Sequence, residues 1–260
     1  MSKEKVFVID GPNVHYVVNP NTEEGREDAR VFLSDFEGVP YKWFKEATGK
    51  EHWVMYDSRA FEVIEKCGLK ILHYISDCEI DPVMPVNGSS CNGMFEDVDL
   101  NNVSFDNFVT PDVVTMSYMF LGSTGVTDEI VKHLSTDKVT TMAYMFAESD
   151  VEYLDLSHFV TEKLTSVESM FESCELLEGV EMLGWDFSNV ADFTNMFSGC
   201  TELSGIYSSE DWNVSEDAAG FDMFMDCFSL PNFDDDEIEL DMATLEDLSL
   251  IHISEPTRLR

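Results

Sequence analysis

The sequence predicts an α/β architecture: a stacked solenoid of about six 25-residue repeats, each a short strand plus a short helical turn, behind a small α/β N-terminal region. Three observations predict it. Met-Phe pairs stand at Met94-Phe95, Met119-Phe120, Met145-Phe146, Met170-Phe171, Met196-Phe197 and Met223-Phe224, spaced 25, 26, 25, 26 and 27 residues apart. Other apolar residues keep fixed offsets from these pairs. Finally, the charge changes along the chain: residues 1–90 hold 10 Lys+Arg and 16 Asp+Glu, whereas 91–247 hold only Lys132, Lys138 and Lys163 against 35 acids.

Residues 1–90 read as one small region, a capping region or a domain of its own. Strands are expected over 6–9, 53–56 and 69–75, where β-branched and aromatic residues cluster. Helices are expected over 27–36 and over 58–66, the second ended by Gly68. Residues 81–93 (DPVMPVNGSSCNG) concentrate Pro, Gly and Ser and mark the change from one region to the next.

Within 91–247 the offsets are regular. Six residues before Met stand Val113, Val139, Leu164 and Val190, and three before it Met116, Met142, Val167 and Phe193. Four after it stand Cys174, Cys200 and Cys227, with Ser123 and Ser149 in two earlier copies. Apolar positions at −6, −3, 0 and +1 with a small residue at +4 trace one face of a short helix. Segments such as 153–159 (YLDLSHF) alternate apolar and polar residues, as strands do. A 25-residue unit cannot bury its own apolar face, so neighbours must cover one another. The Met and Phe ladders then form an internal column, and the cysteines are small buried fillers, with a disulfide ladder as the sharper alternative.

The strings WDFSNVADFTNMFSGCTEL (185–203) and LDLSHFVTEKLTSVESMFESCELL (154–177) resemble BspA-like leucine-rich-repeat surface proteins over about residues 94–247. The resemblance implies a leucine-rich-repeat-like solenoid, non-enzymatic, whose exposed sheet face serves adhesion or protein recognition. The second copy, 120–138, departs from it by lacking the LDLS strand text. Residues 248–260 (LSLIHISEPTRLR) resemble translated sequencing adapter and are excluded from fold reasoning. Ile251-His252 stands where a seventh Met-Phe is due, so a reading frame cut within a seventh repeat is expected.

A formal net charge of −37 repels phosphate backbones and anionic lipid, so neither nucleic acid nor a membrane surface is an expected partner. No apolar run reaches the roughly 20 residues of a membrane span. Residues 1–10 (MSKEKVFVID) do not read as an export signal, so the chain is expected to be cytoplasmic if Met1 is the true start. The habit of the resembled family would place it at the cell surface if the N-terminus is incomplete. Calcium is an alternative reading of the acidic run 234–241 (DDDEIELD), which lacks the usual ligand loop; a solvated acidic loop is the plainer one. No cofactor or metal is expected, because His and Cys spacings match no zinc motif.

The leading functional expectation is a non-enzymatic recognition or adhesion scaffold for a protein partner, a basic one by charge. Tyr118, Tyr144, Tyr153, Tyr207, Trp185 and Trp212 either decorate a recognition face or are half-buried strand residues. The alternative is enzymatic. The text VFVIDGPNVH (6–15) resembles the opening strand of NYN/PIN-like nucleases, which implies metal-binding roles for Asp10 and Asn13. Asp57 ends the second expected strand and would join them in a carboxylate cluster.

Overall fold

The computed structural model describes residues 7–11, 14–18, 22–28, 40–46, 52–208, 212, 214–215 and 217–230. These residues form mixed strands with few helices, gathered into small open sheets. The chain opens with three antiparallel hairpins: β1 (Phe7–Gly11) with β2 (Val14–Val18), β3 (Tyr41–Glu46) with β4 (His52–Asp57), and β5 (Phe61–Lys66) with β6 (Leu69–Tyr74). Residues 23–28 are helical, and the rest of the helix expected over 27–36 lies outside the described residues.

The helix expected over 58–66 is corrected to a turn followed by β5. Gly68 explains the misreading. It adopts φ +78 beside Cys67 at φ +50, the pair of left-handed residues that a two-residue type I′ hairpin turn requires. A glycine in that conformation ends helices equally well, so the residue alone does not tell the two apart. The β5–β6 register sets Val63 opposite Leu72 and Ile64 opposite Ile71.

From residue 90 onward the chain returns over itself every 25 to 27 residues. In-register parallel bridges run Ser90–Thr115–Thr141–Ser166–Asp192–Ala219. The Phe amide of each Met-Phe pair donates to the Met carbonyl of the next: Phe95 to Met119, Phe120 to Met145, Phe146 to Met170, Phe171 to Met196 and Phe197 to Met223, all at 2.8–2.9 Å. Beneath this ladder the six Phe rings stack at 5.3–5.7 Å and within 15° of parallel, from Phe95 to Phe224. Met94, Met119, Met145, Met170, Met196 and Met223 are buried beside them.

The short helical turn expected around each pair is corrected to two tandem β-turns. Met119 N–H bonds Met116 O and Ser123 N–H bonds Phe120 O, each closing a four-residue turn. The third residue of each turn is left-handed, as in type II turns. In the first turn these are Tyr118, Tyr144, Ser169, Asn195 and Asp222; in the second, Gly122, Glu148, Ser173, Gly199 and Asp226. This alternation aims every second N–H along the stack instead of along a helix axis, which makes the inter-coil bonds possible.

Strand text in three copies forms a parallel sheet, β7 (Tyr153–Asp155), β8 (Gly179–Glu181) and β9 (Gly205–Tyr207), with Leu154, Val180 and Ile206 facing inward in one row. The copy without that text carries a four-residue helix, Asp128–Val131, at the equivalent place. Its Asp128 carboxylate accepts the Asp155 N–H at 2.8 Å, satisfying a donor on the first strand of this sheet.

Buried threonines add a third row. Thr136 Oγ1 donates to Val160 O at 3.0 Å and accepts Val160 N–H at 2.7 Å, and Thr110 makes the same pair of bonds with Ser135. Thr136→Val keeps the shape but strands both groups of Val160. A loss of about 1–3 kcal/mol is expected in a urea melt.

The β5–β6 hairpin closes the first end of the stack. Tyr74 N–H donates to Met94 O at 2.7 Å, the bond a preceding coil's Phe would make. The rings of Tyr74 and Phe61 pack 5.5 and 6.4 Å from Phe95. Lys66 pairs with Glu96, and His73 Nε2 lies 2.8 Å from Glu96 O. Desolvation lowers the His73 pKa, so the neutral ring is the form packed there.

Candidate functional site: an aromatic and acidic sheet face

Because successive residues of a strand point to opposite faces, the outward residues of β7–β9 form two rows. One row is Tyr153, Gly179 and Gly205; the other is Asp155, Glu181 and Tyr207. A side chain added at Gly179 would meet Tyr153 ring carbons at 3.1 and 3.2 Å and a Tyr207 ring carbon at 3.4 Å. Both rings therefore occupy the space above the glycine and bury it, while Tyr153 itself stays 40% exposed. The Tyr153 hydroxyl donates to Glu181 Oε1 at 2.5 Å. Burial first, and then the Glu181 hydrogen bond, raise the Tyr153 pKa, so the phenol remains a protonated donor. Glu152 and Glu178 are exposed one residue before β7 and β8. The patch thus joins aromatic surface to carboxylates, a combination suited to attracting cationic side chains.

A second aromatic pair lies on the turn ladder. Tyr118 and Tyr144 stack at 4.9 Å and 7°, with Tyr144 Oη 3.4 Å from Glu168 Oε1. The tryptophans belong elsewhere. Trp185 is buried against Phe159 and donates its indole N–H to Leu156 O at 2.9 Å, and Trp212 stacks on Phe187 at 4.2 Å. Of the six expected aromatics, then, Tyr118 and Tyr153 are exposed, Tyr144 and Tyr207 are half-buried, and the tryptophans pack on the core. What sequence reasoning missed is Gly179, whose missing side chain is what admits the rings.

The residues of the enzymatic reading are placed separately. Asp10 lies on β1 opposite His15, and Asn13 lies outside the described residues. Asp57 ends β4, in a different two-stranded sheet. Its carboxylate accepts the Arg59 backbone N–H at 2.9 Å, Nε at 3.1 Å and Nη2 at 2.8 Å, so a metal there would have to displace a bidentate guanidinium. Among the described residues no three His, Cys, Asp or Glu side chains converge on a metal position. The run 234–241 lies outside the described residues.

All six cysteines are free, so the disulfide ladder is not formed. Cys174, Cys200 and Cys227 are buried, and each Sγ donates at 3.0 Å to the Phe carbonyl of the preceding coil. Burial pushes the Cys174 and Cys227 thiols up to about 12. A native-state titration with a disulfide reagent should therefore modify exposed Cys67 quickly and half-buried Cys78 slowly. The remaining four should react only on unfolding.

Among the described residues no helix is long and apolar enough to cross a membrane. A family model described as "Mycoplasma protein of unknown function, DUF285" matches residues 89–209 and 153–250. These overlapping spans begin at the first coil and cover the whole stack. No curated protein and no solved structure matches the chain.

Proposed function

The chain belongs to the DUF285 family, and from the surface its coils carry we propose that it is a non-enzymatic scaffold for protein recognition or adhesion. The coils are read as a leucine-rich-repeat-like solenoid of the BspA-like kind. The unbroken Phe stack and the parallel bridges from Ser90 to Ala219 support that reading. Repetition of this kind yields an extended surface whose area grows with coil number, which is what such scaffolds use to hold proteins. The observation that carries the proposal is the pairing of exposed Tyr153 and half-buried Tyr207 with the carboxylates of Asp155 and Glu181. A basic partner fits the field of 35 acids against three lysines over 91–247.

Selection from a random peptide library on the immobilised chain, at about 150 mM salt, tests the reading. Reproducible enrichment of peptides bearing Arg or Lys is the expected result. Failure of any sequence family to enrich would overturn it.

A further inference from the structure

Resting on the scaffold reading, we infer that the β7–β9 face is an arginine-reading site, and that its occupant is an arginine-bearing extended segment of a partner protein. Three features of the face converge on this ligand. First, the rings of Tyr153 and Tyr207 are brought together over Gly179, which offers adjoining aromatic surface with no side chain between. A guanidinium stacks on such a surface as a flat, weakly hydrated cation, whereas an ammonium keeps its water more strongly. Second, Glu181 stands directly opposite Tyr207 in the sheet register and opposite Asp155 on its other side. The Tyr153 hydroxyl engages Glu181 Oε1, which fixes the carboxylate beside the rings. A carboxylate has about four lone-pair sites, so one phenol bond leaves room for a two-pronged guanidinium. Third, Asp155 flanks Glu181 in the same outward row, and exposed Glu152 and Glu178 stand one residue before β7 and β8, so the approach to the face is acidic.

The tyrosines carry no charge in this role, and that makes the inference separable from attraction by the overall field. Tyr153→Ala/Tyr207→Ala leaves the net charge untouched and removes the stacking surface. The probe is a fluorescein-labelled octapeptide of alternating Arg and Ser, titrated by polarisation against the full chain at about 50 and 150 mM salt. A second peptide replaces each Arg by citrulline, which has nearly the same shape and no charge.

The double Ala variant should bind the Arg peptide about tenfold or more weakly, because both aromatic contacts to cations are lost. Tyr153→Phe/Tyr207→Phe keeps the rings but releases the Glu181 carboxylate, so its binding should fall between that of wild type and the double Ala variant. Asp137→Asn/Glu162→Gln removes two exposed acids elsewhere on the coils and should cost less than the uncharged Ala pair. Equal binding of the Ala variant and wild type overturns the arginine site while leaving the scaffold reading to its library test. Should the Ala variant fail to fold, the citrulline comparison decides. Citrulline binding as tight as arginine, or no binding of the Arg peptide to wild type at either salt, overturns the inference.

Discussion

Phe171→Ala is expected to cost about 3–5 kcal/mol, enough to unfold a marginally stable chain. Phe171 is fully buried and sits mid-column, 5.3 Å from Phe146 at 13° and 5.3 Å from Phe197 at 3°. Truncation removes transfer free energy, opens a cavity and breaks two ring contacts at once. The backbone ladder on both sides holds the coils at strand spacing, so the gap has little freedom to collapse. In a stack each unit is stabilised mainly through its neighbours, so a defect at the centre should also uncouple the two ends. Urea denaturation should show a lower midpoint and a broader transition. Phe228→Ala, at a ring 55% exposed, should change stability by no more than about 0.5 kcal/mol. A cost below about 1 kcal/mol for Phe171→Ala would mean that the rings do not form a packed column.

Raising the pH should be as damaging as removing a core ring. Cys91, Cys174, Cys200 and Cys227 are buried, and desolvation raises all four thiols above their ordinary value of 9.0. Above pH 9 the unfolded chain loses thiol protons that the folded chain keeps, so unfolding is increasingly favoured. The stabilisation is fully present below pH 9 and is lost as pH rises from there toward the folded values, about 12 for Cys174 and Cys227. Each thiol contributes a slope of about 1.4 kcal/mol per pH unit, so the four together cost about 5 kcal/mol by pH 10. Replacing Cys174, Cys200 and Cys227 by Ser should remove most of that slope. The chain already carries serine at the same offset, where Ser123 Oγ donates to Phe95 O at 2.5 Å, the Phe carbonyl of the preceding coil, as the cysteines do. A melting temperature flat from pH 8.5 to 10.5, or an unchanged slope in the triple variant, would contradict this account of the thiols.

How the period could be read without coordinates, and the turns could not, follows from where each kind of information lies. Met-Phe recurrence is a property of the string, and only stacking satisfies units too small to hide their own apolar residues. Apolar residues at −6, −3, 0 and +1, by contrast, suit one helical turn and two tandem β-turns equally. The deciding fact is positive φ at Tyr118, Tyr144 and Glu148. None of these is glycine, so the inter-coil bonds enforce it there; Gly122, Gly199 and Asn195 at the equivalent positions hint at it in some copies only. Gly68 misled in the opposite sense, since a left-handed glycine closes helices and hairpins alike. The Tyr face was half legible: the tyrosines could be listed, but their meeting over Gly179 depends on β7–β8–β9 register between coils. In the string Trp185 and Trp212 suit a recognition face and a half-buried strand equally; aromatic shelves at Phe159 and Phe187 bury the first and half-bury the second.

What holds the stack together is that the Met-Phe turns of successive units are bonded to one another across coils. Residue-resolved amide hydrogen exchange tests it most directly, because the Phe120, Phe146 and Phe171 amides each have a partner in the next coil and none within their own turn. These amides should be among the slowest to exchange in the native chain, and should lose protection together in Phe171→Ala. Exchange of these three amides as fast as that of exposed loop positions would contradict it.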